Sequence, residues 1–194
     1  MRKILMIAMA LAIALIPLTG EAKKKKENKS KSPFGEVFEV PANEHDTEEY
    51  FGAPGIAYGN IANMGELQLL ALKNAQNAVR QKIKHSYKGL ITDYASTMNL
   101  GNGDNIQSKA DRRGDQIIDA VVNDTQASKG PFFSEPDDKG NVTCYIGIRV
   151  YKKELAKKVS DTLSEDEELK LMFKEDEFRK RMDETFKKYK EEKQ

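Results

Sequence analysis

The chain has 194 residues, with 32 Lys+Arg against 31 Asp+Glu, 39% hydrophobic residues, one cysteine and no tryptophan, and a mean hydropathy of -0.67. That length holds one ordinary domain plus appendages. The near-neutral balance argues against a globally basic nucleic-acid binder, and a single cysteine excludes a disulfide framework and a CxxC-type zinc site.

The first 22 residues have the layout of a secretory signal peptide. Arg2 and Lys3 precede an apolar run from Ile4 to Ile16, followed by Pro17 and the small-residue exit Gly20-Glu21-Ala22, so cleavage is predicted after Ala22. As a helix the run would span about 20 Å, short of a bilayer core. No cysteine stands near the exit, so the lipid attachment of a bacterial lipoprotein is not available there. The expected location is periplasmic or extracellular, with neither a lipid anchor nor a transmembrane helix after cleavage. Removing residues 1–22 takes away Arg2, Lys3 and Glu21, which leaves a formally neutral chain.

Residues 23–33 open with Lys23, Lys24, Lys25 and Lys26 and carry nothing apolar before Pro33, which predicts a basic disordered tail. These lysines are candidate anion-binding residues for an anionic membrane or cell-wall surface; the alternative is a solvated spacer. Between Pro33 and Gly59, Phe34, Val37, Phe38 and Val40 suit a short strand or clamp. The polar run Asn43–Glu49 comes next, and Tyr50–Gly59 reads as an extended segment ending in turns.

The first helix is predicted from Asn63, with Glu66 three residues on in a capping-box spacing. Leu67, Leu70, Ala71, Ala75, Ala78, Val79 and Ile83 share one face, and Lys73, Arg80, Lys82 and Lys84 occupy the rest, either as an anion-binding face or as a solvated surface. Gly89 is read as the stop. Leu90–Met98 fits helix or strand, and strand is favoured after the glycine. Residues 101–105 form a loop with the wrong carboxylates for an EF-hand. A second amphipathic helix begins at Asn105, with Ile106, Ala110, Arg113, Ile117, Ala120 and Val121, and ends near Asn123.

Val142–Tyr151 is the best strand in the chain, with Val142, Cys144, Ile146, Ile148 and Val150 on one face. The turn residues before it and Phe132-Phe133-Ser134 make the unit a β-hairpin. Cys144 therefore belongs to an apolar face, as an inert core thiol. Residues 165–194 hold 11 acidic and 9 basic side chains. Ser164 with Glu167 has capping-box spacing, and Phe178, Met182, Phe186 and Tyr189 form a thin stripe. That stripe must pack on its own domain, on a second copy or on a partner, which makes it the candidate interaction stripe.

Catalytic motifs are not found. His45 and His85 are far apart and have no partner at metal-ligand spacing, and GxSxG, HExxH and GxGxxG do not occur. No cofactor, metal or catalytic residue is expected, and no nucleic-acid partner.

Gly55-x-Ala57, the helix carrying Ala71, Ala75, Ala78, Val79 and Ile83, and the strand Cys144–Val150 together resemble the bacterial twenty-kilodalton surface lipoprotein family and the related N-terminal domain of a flagellar assembly protein. The resemblance covers about residues 50–160. It implies a small α+β fold and non-enzymatic roles in the cell envelope, often within assemblies; the missing acylated cysteine departs from it.

The expected architecture is α+β: an antiparallel sheet with two amphipathic helices packed on one face, plus a charged C-terminal helix. The expected division is a signal peptide (1–22), a basic tail (23–33), the α+β domain (34–160) and the charged helix (161–194). The expected function is that of a non-enzymatic envelope protein acting as a protein-interaction or structural module, binding an envelope protein or itself through the C-terminal helix. A peripheral binder of anionic membrane or cell-wall polymer is the alternative, and a hydrolase with an unrecognised site is the remote one.

Overall fold

A computed structural model describes residues 31–32, 35–36, 40–98, 103–172 and 175–188. The chain divides into two compact units between Phe38 and Glu39. In the first, β1 (Lys31–Ser32) pairs antiparallel with β2 (Gly35–Glu36). Strand pairing thus reaches the last residues of the stretch expected to be an unstructured tail. Residues 1–30, with the predicted cleavage at Ala22 and the run Lys23–Lys26, lie outside the described residues, as do Phe34, Val37 and Phe38 of the expected clamp.

The second unit is α+β. Its elements are β3 (Tyr50–Asn60), a single 3-10 turn (Ile61–Asn63), α1 (Met64–Met98), α2 (Gly103–Asn123), β4 (Ala127–Phe133), β5 (Asn141–Tyr151), α3 (Lys152–Ser164), α4 (Glu167–Met172) and α5 (Glu175–Lys188). The sheet order is β3-β5-β4, antiparallel throughout, with Tyr50 opposite Tyr151 and Asn60 opposite Asn141. The predicted alternation of β5 holds: Val142, Cys144, Ile146, Ile148 and Val150 are all buried. Tyr50–Asn60, read as ending in turns, is one continuous strand. Its proline is tolerated because β3 lies at the sheet edge.

α1 lies on the face lined by Phe51, Ala53 and Ala57. The approach is close because Gly55 faces Ala71 and Ala75, so that a Cβ there would collide with the Ala71 carbonyl oxygen. Leu67, Ala71, Ala75, Val79 and Ile83 are buried as the spacing predicts, whereas Leu70 is exposed. Asn60 caps the preceding 3-10 turn, its Oδ1 accepting from Ala62 N–H. Gly89 does not stop the helix, and Leu90–Met98 is helix rather than strand. Tyr87, Leu90, Ile91 and Tyr94 continue the buried line. Gly89 itself is exposed on the outer side, so its cost of about 1 kcal/mol is outweighed by burying those four side chains.

α2 packs along α1 and α3. Its inward line is Ala110, Gly114, Ile118 and Val122; of the predicted face Ala110 is buried, whereas Arg113 and Ala120 are exposed. Gly114 makes room for the Tyr87 ring, and the Tyr87 hydroxyl donates to Ala110 O at 2.9 Å.

The predicted charged helix 161–194 is interrupted at residues 165–166, between α3 and α4. Ser164 ends α3, its hydroxyl donating back to Ser160 O, and Asp166 performs the capping by accepting from Glu168 N–H and Leu169 N–H. Residue 160, the expected domain end, falls inside α3. Among the described residues no helix is long and apolar enough to cross a membrane.

Candidate functional site

The face of the sheet turned away from α1 has a covered half and an open half. Residues 42–46 fold over the covered half, where Gly52 and Gly147 let them approach: a Cβ on Gly52 would meet His45 O, and one on Gly147 would meet Ala42 O and the Glu44 side chain. Glu44 is buried there. Its carboxylate accepts from Arg149 Nε at 3.1 Å and from Ser128 Oγ at 3.3 Å, with Lys129 Nζ at 3.6 Å. The Arg149 guanidinium stacks 4.5 Å from the Tyr50 ring centroid. A buried carboxylate met by two cations and a hydroxyl acts as a clasp for the loop.

Past Pro54 the same face carries exposed apolar side chains around the buried Tyr145. Ile56, Tyr58 and Phe132 are exposed on it, Ile56 and Phe132 flanking Tyr145 in one cross-strand row. Ile61 and Met64 in the connection to α1, and Leu69 and Leu70 in its opening turns, are exposed as well. Seven of the eight strongly exposed large hydrophobic side chains among the described residues thus lie on this stretch of β3, its connection to α1, the opening turns of α1 and the facing β4. The bordering turn is polar. Asp137 accepts from the Tyr58 hydroxyl at 2.6 Å and from the backbone N–H groups of Lys139 and Asn141. These bonds, Tyr58 first, pull its carboxyl down to about 2. The same contact pushes the Tyr58 phenol up.

The outer edge of β3 follows the same division. The even-numbered residues point their backbone groups away from β5. Tyr50 N–H donates to Thr47 Oγ1 and Tyr50 O accepts from Thr47 N; Gly52 N–H donates to Asp46 Oδ1 and Gly52 O accepts from Lys82 Nζ. Pro54 has no N–H, and Ile56 O accepts from Asn74 Nδ2 at 2.8 Å. Beyond that, Ile56 N–H and both backbone groups of Tyr58 have no recorded partner among the described residues. At the opposite edge β4 is exposed and broken by register shifts on either side of Lys129, so it offers no regular run for pairing.

The residues singled out from sequence fare differently. Phe178, Met182 and Phe186 are buried, so the C-terminal stripe is not an open interaction surface. Phe178 meets Tyr94 edge-on at 5.4 Å and Phe186 meets Phe51 at 5.1 Å, while the buried Lys152 donates to Phe186 O and Thr47 O. Tyr189 lies outside the described residues. On the basic side of α1, Arg80 and Lys84 pair with Asp119 and Lys82 pairs with Asp46, while Lys73 is exposed. Cys144 is buried, and burial pushes its thiol up. His45 and His85 are exposed. No group of three or more His, Cys, Asp or Glu among the described residues is arranged to hold a metal.

Open grooves with mixed polar and apolar linings also occur among the described residues. One of about 400 Å³ runs between Thr125–Ser128 and Glu154–Lys158, one of about 500 Å³ between α2 and α3, and one of about 520 Å³ beside Lys152. The apolar corner, which the sequence pattern did not single out, is the strongest surface feature. Leu70 was placed in the core and Tyr58 in a turn; only the direction of β3 shows that they share an edge. Comparison with family models, curated proteins and solved structures returns no match.

Proposed function

We propose that this chain is a non-enzymatic protein-interaction module of the bacterial cell envelope, and that its binding surface is the corner formed by Ile56, Tyr58, Ile61, Met64, Leu69, Leu70 and Phe132. The exposed apolar cluster carries this reading. A domain that buries Phe178, Met182, Phe186 and Ile83 almost completely has core enough to hold its fold, so leaving Ile56, Tyr58 and their apolar neighbours in water along the edge of β3 is best accounted for by a partner that covers them. Export by the leading segment and the envelope setting of the resembled family are part of the same proposal.

The test is photo-crosslinking in the cells that make the protein, with a benzophenone side chain at position 58 and, as control, at the exposed Gln81, about three turns along α1 from Leu70. One discrete adduct is expected from position 58 and none from position 81. The variant Ile56→Ser/Ile61→Ser/Leu70→Ser should remove the adduct while its stability stays within about 0.5 kcal/mol of the parent, as for surface substitutions. Adducts of equal yield at both positions, or an adduct that survives the triple variant, would remove the corner as the binding surface.

A further inference from the structure

This inference rests on the corner being a protein-binding surface, and concerns what it binds. The edge of β3 is not uniformly protected. Thr47, Asp46, Lys82, Asn74 and the missing N–H of Pro54 account for it as far as Ile56 O, the Pro54 C=O excepted. Ile56 N–H, Tyr58 N–H and Tyr58 C=O are left as a short run of one donor followed by a donor and acceptor, the pattern an antiparallel neighbour reads. Apolar side chains flank this run on both sides: Ile56 and Tyr58 on the outer face, and Leu70 one helical turn before the Asn74 that reaches Ile56 O. The turn at its far end carries Glu135, Asp137 and Asp138 against the single Lys139, and it is tied to the strand by Tyr58–Asp137 and by Ile61 N–H to Gly140 O.

We propose that Ile56–Asn60 takes up a short extended segment of another protein as an added strand, apolar where it lies against Ile56, Tyr58 and Leu70 and basic where it meets the acidic turn. Backbone groups supply the pairing, alternate side chains the apolar contact, and the Glu135–Asp138 carboxylates the preference for Lys or Arg. A second copy of this chain fits less well. Pairing two β3 edges about Tyr58 would drive the occupied half of each strand, with Asp46 and Lys82, past the turn of the other, and would displace two Asn74 amides.

The experiment uses two acetylated seven-residue probes, one alternating Val with Lys and one alternating Val with Glu, titrated against the protein by fluorescence anisotropy and by amide NMR. The Lys probe should bind, shift the amides of Ile56–Asn60 and weaken as salt rises. The Glu probe should bind at least tenfold more weakly. Ile56→Pro removes an outward N–H as Pro54 already does, so it should keep the fold and lose at least tenfold in affinity. If that variant does not fold, the Lys probe methylated on alternate backbone nitrogens must lose its binding to the parent protein. Equal binding of both probes, no binding of the Lys probe, undiminished binding to folded Ile56→Pro, or a parent dimer that Ile56→Pro dissociates would each overturn strand addition. A position-58 crosslink that persists in Ile56→Pro without Lys-probe binding would overturn strand addition alone; loss of the position-58 crosslink preference as well would overturn both proposals.

Discussion

From Tyr50 to Gly52 the β3 edge is occupied by Thr47, Asp46 and Lys82, its outer face lies under residues 42–46, and its inner face meets Phe186 from the far end of the chain. From Ile56 to Asn60 the same strand has exposed apolar side chains at Ile56 and Tyr58, and among the described residues nothing pairs with the outward Ile56 N–H or the Tyr58 backbone groups. Both halves have the same strand neighbour in β5 and the same helix α1 on the inner face. The difference therefore comes from what residues 40–49 and α5 bring to one end only. An edge left open by general neglect would be open along its whole length; here the protection stops partway.

The largest expected effect breaks the covered half. Phe186→Ala removes a fully buried ring from between Phe51 and the Lys152 contact, and should cost about 3–5 kcal/mol, the range for buried aromatic truncations. Denaturant unfolding measures it. A loss under about 1 kcal/mol would mean that α5 does not contribute to this core, and the contrast between the halves would weaken accordingly.

An intermediate effect sharpens the role of α1, which both halves share. Gly55→Ala forces a methyl into the Ala71 carbonyl and should destabilise by about 1–3 kcal/mol through overpacking. Gly89→Ala meets nothing within 4 Å and should stabilise by about 0.5–1 kcal/mol, because alanine is the better helix residue. Opposite signs for one substitution in two glycines separate close packing from helix propensity; the same sign at both positions would contradict the close approach of α1 to β3.

How much of this was legible in the sequence depends on how local each cause is. The alternation of Val142 to Val150 and the three- and four-residue steps from Leu67 to Ile83 record burial within one element, so β5 and the first half of α1 were readable. Gly89 misled because a helix breaker is weighed locally, whereas the side chains that override it, Tyr87, Leu90, Ile91 and Tyr94, bury against α2, α5 and the rest of the core. The Phe178 stripe was visible as a stripe, but its occupant was not, since Tyr94 and Phe51 lie far away in the chain. The corner was least legible of all. An open backbone edge has no residue signature, and its limit is set by Asp46, Asn74 and Lys82, which arrive from two other segments.

The smallest effect lies in the open half, where the Tyr58–Asp137 contact is the main polar anchor. The folded carboxyl is held at about 2, below the ordinary value of about 3.9. Its contribution to stability is therefore complete above the ordinary value and fades as pH falls from about 4 through 2. The difference in thermal midpoint between the parent and Asp137→Asn should accordingly be flat from neutral pH down to about 5 and shrink in acid. Tyr58→Phe removes the strongest of the bonds holding the carboxyl down, so carboxyl-carbon NMR should show the Asp137 midpoint rising toward the ordinary value, although the Lys139 and Asn141 amides remain. An unchanged midpoint would mean that the backbone amides alone set the turn. Tyr58 would then be free of the acidic turn, and the open half of the edge would lose the one contact that fixes its outer face.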